Sequence, residues 1–253
     1  MDTISSFESP SPFMEGLSPI TILVGHAGVG KTNTALGIAL ALAERGDDVT
    51  LADLDVVNPY FRSSDYPELL SSRGVKLVAP VFARTTLDTP SLTGELDAVI
   101  AGIEAGSGKK LVIDVGGDED GATALGRYAE ALASAPARML YVVSAFRSLT
   151  PTAAEAVALV PGIETHCHLR VNAVLNTSNL GVETSLRNVE HGRAFARECA
   201  GLLGLPLVAT IVPEIALANT APGVVFNVLT KNGEQDEELL VMPKYVSTPW
   251  DTF

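Results

Sequence analysis

Apolar positions in this chain come in short continuous runs, and each run is followed by a longer stretch with apolar residues at helical spacing. Continuous runs fit strands buried on both faces. Their alternation with helices predicts an α/β domain with a mostly parallel sheet covered on both sides. Strands are expected at 20–24, 49–53, 75–79, 110–114, 138–144, 170–175 and 207–212, and helices at 31–45, 66–73, 93–105, 121–134, 151–160 and 183–203. The crossovers are long enough for right-handed strand–helix–strand units. Past residue 222 the pattern changes. Apolar segments at 224–230 and 238–242 flank Asn232-Gly233, which predicts a C-terminal hairpin forming an antiparallel edge or flap. The sheet should hold about seven or eight strands in all.

Residues 1–18 contain Ser5-Ser6, Ser9-Pro10 and Ser11-Pro12 and read as a flexible tail, or as a surface arm if Phe7, Phe13 and Leu17 dock. Residues 19–253 read as a single domain, and 47% hydrophobic content in 253 residues supplies the core it needs. The net charge of −13 sets aside nucleic acid and anionic membrane as partners, because both need clustered Lys and Arg and the longest basic run is Lys109-Lys110. The region 244–253 is not a basic amphipathic helix. No Lys or Arg precedes Lys31, so the basic region of a signal peptide is lacking, and no apolar run has the length of a membrane span. Cys167 and Cys199 form no C-x-x-C pair. Two such thiols fit a reducing, cytoplasmic setting. His166-Cys167-His168 reads as a helix-to-strand connector rather than a metal site, since three adjacent residues cannot all face one ion.

The chemistry concentrates between the first strand and the first long helix. Gly25-His26-Ala27-Gly28-Val29-Gly30-Lys31-Thr32 fits G-x-x-x-x-G-K-[ST], the phosphate-binding P-loop. Its glycines let backbone N–H groups curl around a phosphate, Lys31 adds a positive charge, and Thr32 offers a hydroxyl to Mg²⁺. Asn33 opens the helix just behind and is expected to bind nucleotide with the loop. Acids stand at three strand ends. Asp114 closes an apolar strand in the Walker B pattern and is expected on Mg²⁺ beside Thr32, or as a helix cap. Asp118, in Gly116-Gly117-Asp118, is expected near the attacking water on a mobile switch loop, or again as a cap. Asp53 and Asp55 end the second strand, which is expected beside the P-loop strand. Asp55 would orient water and Asp53 would be an outer partner of Mg²⁺; the alternative is an Asx turn before Pro59.

Gly28–Thr32, Asp53-Leu54-Asp55 and Asp114-Val115-Gly116-Gly117-Asp118 together resemble the MinD/ParA class of deviant-Walker P-loop ATPases, over about residues 19–220. That class includes the nitrogenase iron protein and the ATPases that mature carbon monoxide dehydrogenase, and the Asp114-x-x-x-Asp118 spacing is closest to that branch. The resemblance implies ATP and Mg²⁺ as cofactors, with hydrolysis driving a switch that acts on a protein client. It also implies that Asn176, at the end of a late strand, reads the adenine with Pro213 and Glu214; an Asn turn is the alternative for Asn176. The class is named for a second lysine early in the loop that crosses a homodimer to the partner's phosphates. His26 stands there instead, and it either hydrogen-bonds phosphate or is a permissive loop residue. The switch region carries no cysteine, which sets aside a bridging iron–sulfur cluster. Three other readings stay open. One is a small-molecule ligase with a deep second pocket beside the γ-phosphate, lined by an arginine such as Arg62, Arg84 or Arg147. The others are a partition or positioning ATPase and a nucleotide-binding module without hydrolysis.

Overall fold

The computed structural model describes residues 11–55, 62–79, 94–218 and 237–246. Eight strands form one sheet: β1 Ile20–Val24, β2 Asp48–Leu54, β3 Lys76–Val78, β4 Lys109–Val115, β5 Ala137–Val143, β6 Ala173–Asn176, β7 Leu207–Pro213 and β8 Glu238–Met242. Their order is β3-β2-β4-β1-β5-β6-β7-β8 and every pairing is parallel. From β1 the chain builds outward to β3, returns to insert β4 beside β1, then crosses to β5 and builds outward the other way. The direction reverses around β1 and β4, so the crevice above their C-terminal ends is the place where a doubly wound fold binds ligands.

Two expectations change here. The second strand does not lie beside β1: β4 separates them, with Thr50 opposite Leu111 and Asp53 opposite Asp114. The segment 238–242 is not an antiparallel edge. It pairs parallel with β7, Ala209 opposite Glu238 through Pro213 opposite Met242. Asn232-Gly233 and the first arm of the expected hairpin lie outside the described residues, as do Phe7, Asn58, Pro59 and Arg84.

Ten helices cover the described sheet: α1 Pro12–Glu15, α2 Lys31–Glu44, α3 Pro67–Ser72, α4 Glu95–Ala101, α5 Glu119–Gly126, α6 Ala129–Ser134, α7 Ala153–Ala158, α8 Val160–Cys167, α9 Leu186–Leu203 and α10 Glu214–Ala218. The helix expected at 121–134 is two helices, and Tyr128 turns into the core at the break. The helix expected at 151–160 ends early, and Pro161 in the first turn of α8 starts a new one because it has no N–H to continue the old. His166 and Cys167 are the last turn of α8, with His168 left-handed behind them at φ 57°.

Each face of the sheet has its own apolar layer. Ile20, Ile22 and Val24 of β1 point to the layer under α4–α9, while Leu23 points to the layer under α1, α2 and α3. Alternate side chains of one strand thus serve opposite cores, and a fully buried Ile or Leu contributes roughly 1.5–3 kcal/mol. Residues 11–18 belong to the second layer: Phe13, Met14 and Leu17 are buried, so this part of the expected tail is a docked arm. At the far end of the same layer, Gly37 of α2 lies so close to Met242 that a Cβ there would be 2.4 Å from its sulfur. No helix among the described residues is long and apolar enough to cross a membrane.

Candidate functional site

β1 delivers the loop 25–32 to the crevice, and α2 begins at Lys31. Gly30, left-handed at φ 96°, is the N-cap and makes no side-chain cap bond. α5 and α7 differ: Asp118 and Thr152 accept hydrogen bonds from their first turns. A helix start without a capping side chain, behind glycines at φ 148° (Gly25), 73° (Gly28) and 96° (Gly30), is a cradle of N–H groups for an anion. Gly25 has no alternative residue, since a Cβ would lie 2.4 Å from the Val142 carbonyl oxygen. From beneath, the Thr177 hydroxyl bridges the carbonyls of Val29 and Val143, tying the loop to the tips of β5 and β6.

Lys31 is buried, and its ammonium donates to Gly25 O at 2.8 Å and His26 O at 3.0 Å. Burial pushes its pKa down; the carboxylates of Asp114, Asp55 and Asp118 oppose that shift. Asp53 and Asp114 stand side by side on β2 and β4. Asp53 accepts from Asp55 N at 2.9 Å and from Ser64 N at 2.8 Å. Burial pushes its pKa up despite these bonds. Burial, then the neighbouring Asp53 charge, pushes Asp114 up to about 7, against hydrogen bonds from Ser63 and Thr32 and the charge of Lys31. The Ser63 hydroxyl reaches Oδ2 at 2.5 Å, while Oδ1 is buried without a hydrogen-bond partner. An orphaned buried acceptor costs roughly 1–3 kcal/mol. Hydroxyl and carboxylate oxygens around such an orphan suit a hard divalent cation. Among the described residues no cluster of three or more His, Cys, Asp or Glu side chains could hold a metal, so a cation at Thr32 and Asp114 would need phosphate and water oxygens as well.

The loop 116–118 closes over this group. At Gly116 a Cβ would lie 3.3 Å from Asp55 Oδ1 and 3.5 Å from Asp118 Oδ1, so the two carboxylates converge there. Gly117 sits directly on the phosphate loop: its Cβ would be 2.4 Å from Ala27 N. Asp118 caps α5, accepting from Gly121 N at 2.8 Å. His26 turns to its neighbour, Nδ1 donating to Ala27 O at 3.0 Å. Its ring borders a cavity of about 370 Å³ that runs under Gly116–Glu119 to α8, with His166 on the far wall.

The structure therefore brings Gly25–Thr32, Asp53, Asp55, Asp114 and Asp118 together at the tips of β1, β2 and β4. Other expected residues are engaged elsewhere. The Asn33 amide donates to Pro243 O and accepts from Tyr245 N and Val246 N, at 3.1, 2.7 and 3.1 Å. Asn176 is fully buried at the end of β6. Its Nδ2 donates to Thr210 Oγ1 at 3.1 Å, and its Oδ1 accepts from Ser178 N at 3.0 Å and Ser178 Oγ at 2.6 Å. Thr210 in turn donates to Glu237, which also takes hydrogen bonds from Arg193 and Arg197. Pro213 ends β7 and exposed Glu214 begins α10, three strands from β1. Ser63 and Thr177 carry no signal in the sequence; Arg147 is one of the arginines named there for a second pocket beside the γ-phosphate.

The CobQ/CobB/MinD/ParA nucleotide binding domain model matches residues 20–242. Among solved structures, chloroplast FtsY from Physcomitrella patens is similar at 19% identity and TM-score 0.53, over 78% of this chain and 59% of that one. FtsY from Mycoplasma mycoides is similar at 20% identity and TM-score 0.51, over 83% of this chain and 65% of that one. The chain spans less than two thirds of either, and at these identities the likeness is one of fold. No curated protein matches the sequence at a significant level. The phosphate loop, its buried lysine and the acids at the tips of β2 and β4 stand within the matched span, and the chain belongs to the CobQ/CobB/MinD/ParA nucleotide-binding domain family of P-loop proteins.

Proposed function

We propose that this protein binds ATP with Mg²⁺ in the loop 25–32, hydrolyses it, and uses the change to switch its hold on a protein client such as an enzyme that awaits its metal or cofactor. The observation that carries the reading is the contact of Gly117 with Ala27, which puts the switch loop and both Asp55 and Asp118 against the phosphate cradle. A γ-phosphate entering the cradle has to move that loop, and its loss lets the loop return.

Lys31 would exchange its two carbonyl bonds for phosphate oxygens. Mg²⁺ held by Thr32 and Asp114, with Asp53 behind, would draw charge from the phosphates. Water, oriented by Asp55 or Asp118, attacks the γ-phosphorus in line. A P–O bond forms to the water oxygen and the bond to the β–γ bridging oxygen breaks. ADP leaves with that electron pair, and the water protons pass to phosphate and solvent.

Purified protein with ATP or GTP and Mg²⁺, assayed for phosphate release, tests the reading. Turnover with ATP that disappears in Lys31→Ala is expected. Unchanged ATP affinity in Lys31→Ala would defeat the site assignment, and a preference for GTP would correct the nucleotide.

A further inference from the structure

Arg147 lies in the loop between β5 and α7, on the flank of β1 opposite the acids. The loop is pinned along its length. Ala145 N donates to Ser178 Oγ at 2.9 Å, Thr150 N donates to Arg147 O at 3.1 Å, and a Thr152–Glu155 capping box closes its end. So held, the guanidinium lies on the phosphate loop: a Cβ at Gly28 would be 3.2 Å from Nη1 and 3.3 Å from Cζ. Among the described residues no carboxylate pairs with it, and its Nε is buried without a hydrogen-bond partner. It is close enough to Lys31 for its charge to work against protonation there. Lys31 has three carboxylates nearby to offset its burial; among the described residues Arg147 has none. Two cations facing one glycine loop, one of them uncompensated, leave room for a polyanion between them. The His26 side chain turns to Ala27 and the cavity instead.

We propose that Arg147 binds the γ-phosphate of the nucleotide held by its own chain and stays on it while charge shifts during P–O cleavage. The inference rests on the hydrolysis reading above and adds a second cation to it, from the same chain rather than from a partner. The terminal phosphate is the target because Lys31, pointing at Gly25 and His26, and the switch acids frame that end of the loop.

The test compares Arg147→Ala and Arg147→Lys with the unchanged protein, each checked for an unaltered thermal melt. Arg147→Ala should bind a non-hydrolysable ATP analogue about tenfold more weakly while its ADP affinity holds. Its kcat should fall by about 10²-fold or more. Arg147→Lys should recover part of the affinity and little of the rate, because an ammonium lacks the planar fork. If Arg147→Ala fails to fold, Arg147→Lys and Arg147→Gln carry the same comparison. Equal losses for ATP analogue and ADP, or no loss of either, would overturn the assignment. Mixing Arg147→Ala with Lys31→Ala separates the two geometries: no recovery of turnover supports a contact within one chain, and recovery overturns it. Because the ATP-analogue and ADP affinities can be read without turnover, failure of hydrolysis in the unchanged protein is distinguishable from failure of the Arg147 contact.

Discussion

Two groups of buried charges, one around the central strands β1 and β4 and one towards the β8 edge, are built differently. Beyond β6, Glu237 is buried and held by Arg193, Arg197 and Thr210, and Thr210 also accepts from Asn176. Both oxygens of that carboxylate are matched, and only Arg197 Nε at the half-exposed rim goes without a partner. Around β1, β2 and β4 the balance is incomplete. Asp114 Oδ1 and Arg147 Nε are orphaned, two carboxylates stand on adjacent strands, and Lys31 spends its donors on loop carbonyls. A closed network locks structure. An open one holds polar groups in reserve for a ligand, and that difference separates the two regions where burial alone does not.

The comparison breaks most visibly at Lys31. Lys31→Ala should abolish ATP turnover, a loss of roughly 10²-fold at the least, with little change in the urea midpoint of the nucleotide-free protein. A collapse in stability would show that the lysine is a structural residue like Arg193. At the closed network the outcome should invert. Glu237→Ala takes from buried Arg193 its buried carboxylate and leaves it only the half-exposed Glu190 among the described residues, and urea unfolding should show a loss of up to roughly 3–5 kcal/mol. Turnover per folded molecule should survive.

A smaller effect of opposite sign is expected at Asp114. Its pKa, about 7 when folded, lies above the ordinary carboxylate value, so folding favours the protonated form. Below about pH 4 the carboxyl is protonated in both states and there is no penalty. The penalty grows as the unfolded chain ionises first, and is complete above pH 7. Asp114→Asn should therefore stabilise the nucleotide-free protein at pH 8 by about 1–3 kcal/mol and hardly at pH 4. A destabilised Asn variant at pH 8 would place Asp114 with the closed network. The smallest effect concerns thiols. Burial pushes Cys199 up to about 12, so in the native protein at pH 8 it should resist iodoacetamide and react once urea exposes it.

The sequence made some of this plain and hid the rest for identifiable reasons. Ile20–Val24 and the phosphate loop were legible because a short apolar run and a glycine pattern are local signals. The order of strands is not local. Nothing in 48–54 says that β4 will slip between it and β1, and nothing in 238–242 says that it will run parallel to β7. The acids at strand ends were readable as a set, but their partners were not. Ser63 reaches Asp114 from 51 residues away, and Thr177 reaches Val29 from 148. Asn33 and Asn176 show the converse. Both are expected from the sequence to bind nucleotide, and both amides are engaged by groups that include partners from far along the chain.

Asn33 also makes the end of the described chain a reporter. Its carboxamide oxygen takes the amide hydrogens of Tyr245 and Val246 one residue after the Thr32 of the phosphate loop. Ligand that steadies the first turn of α2 steadies that clamp by the same free energy, RT ln(1 + [L]/Kd). Slower hydrogen exchange at two amides more than two hundred residues downstream should then trace occupancy of the loop, and an Asn33→Ala chain should bind without showing it.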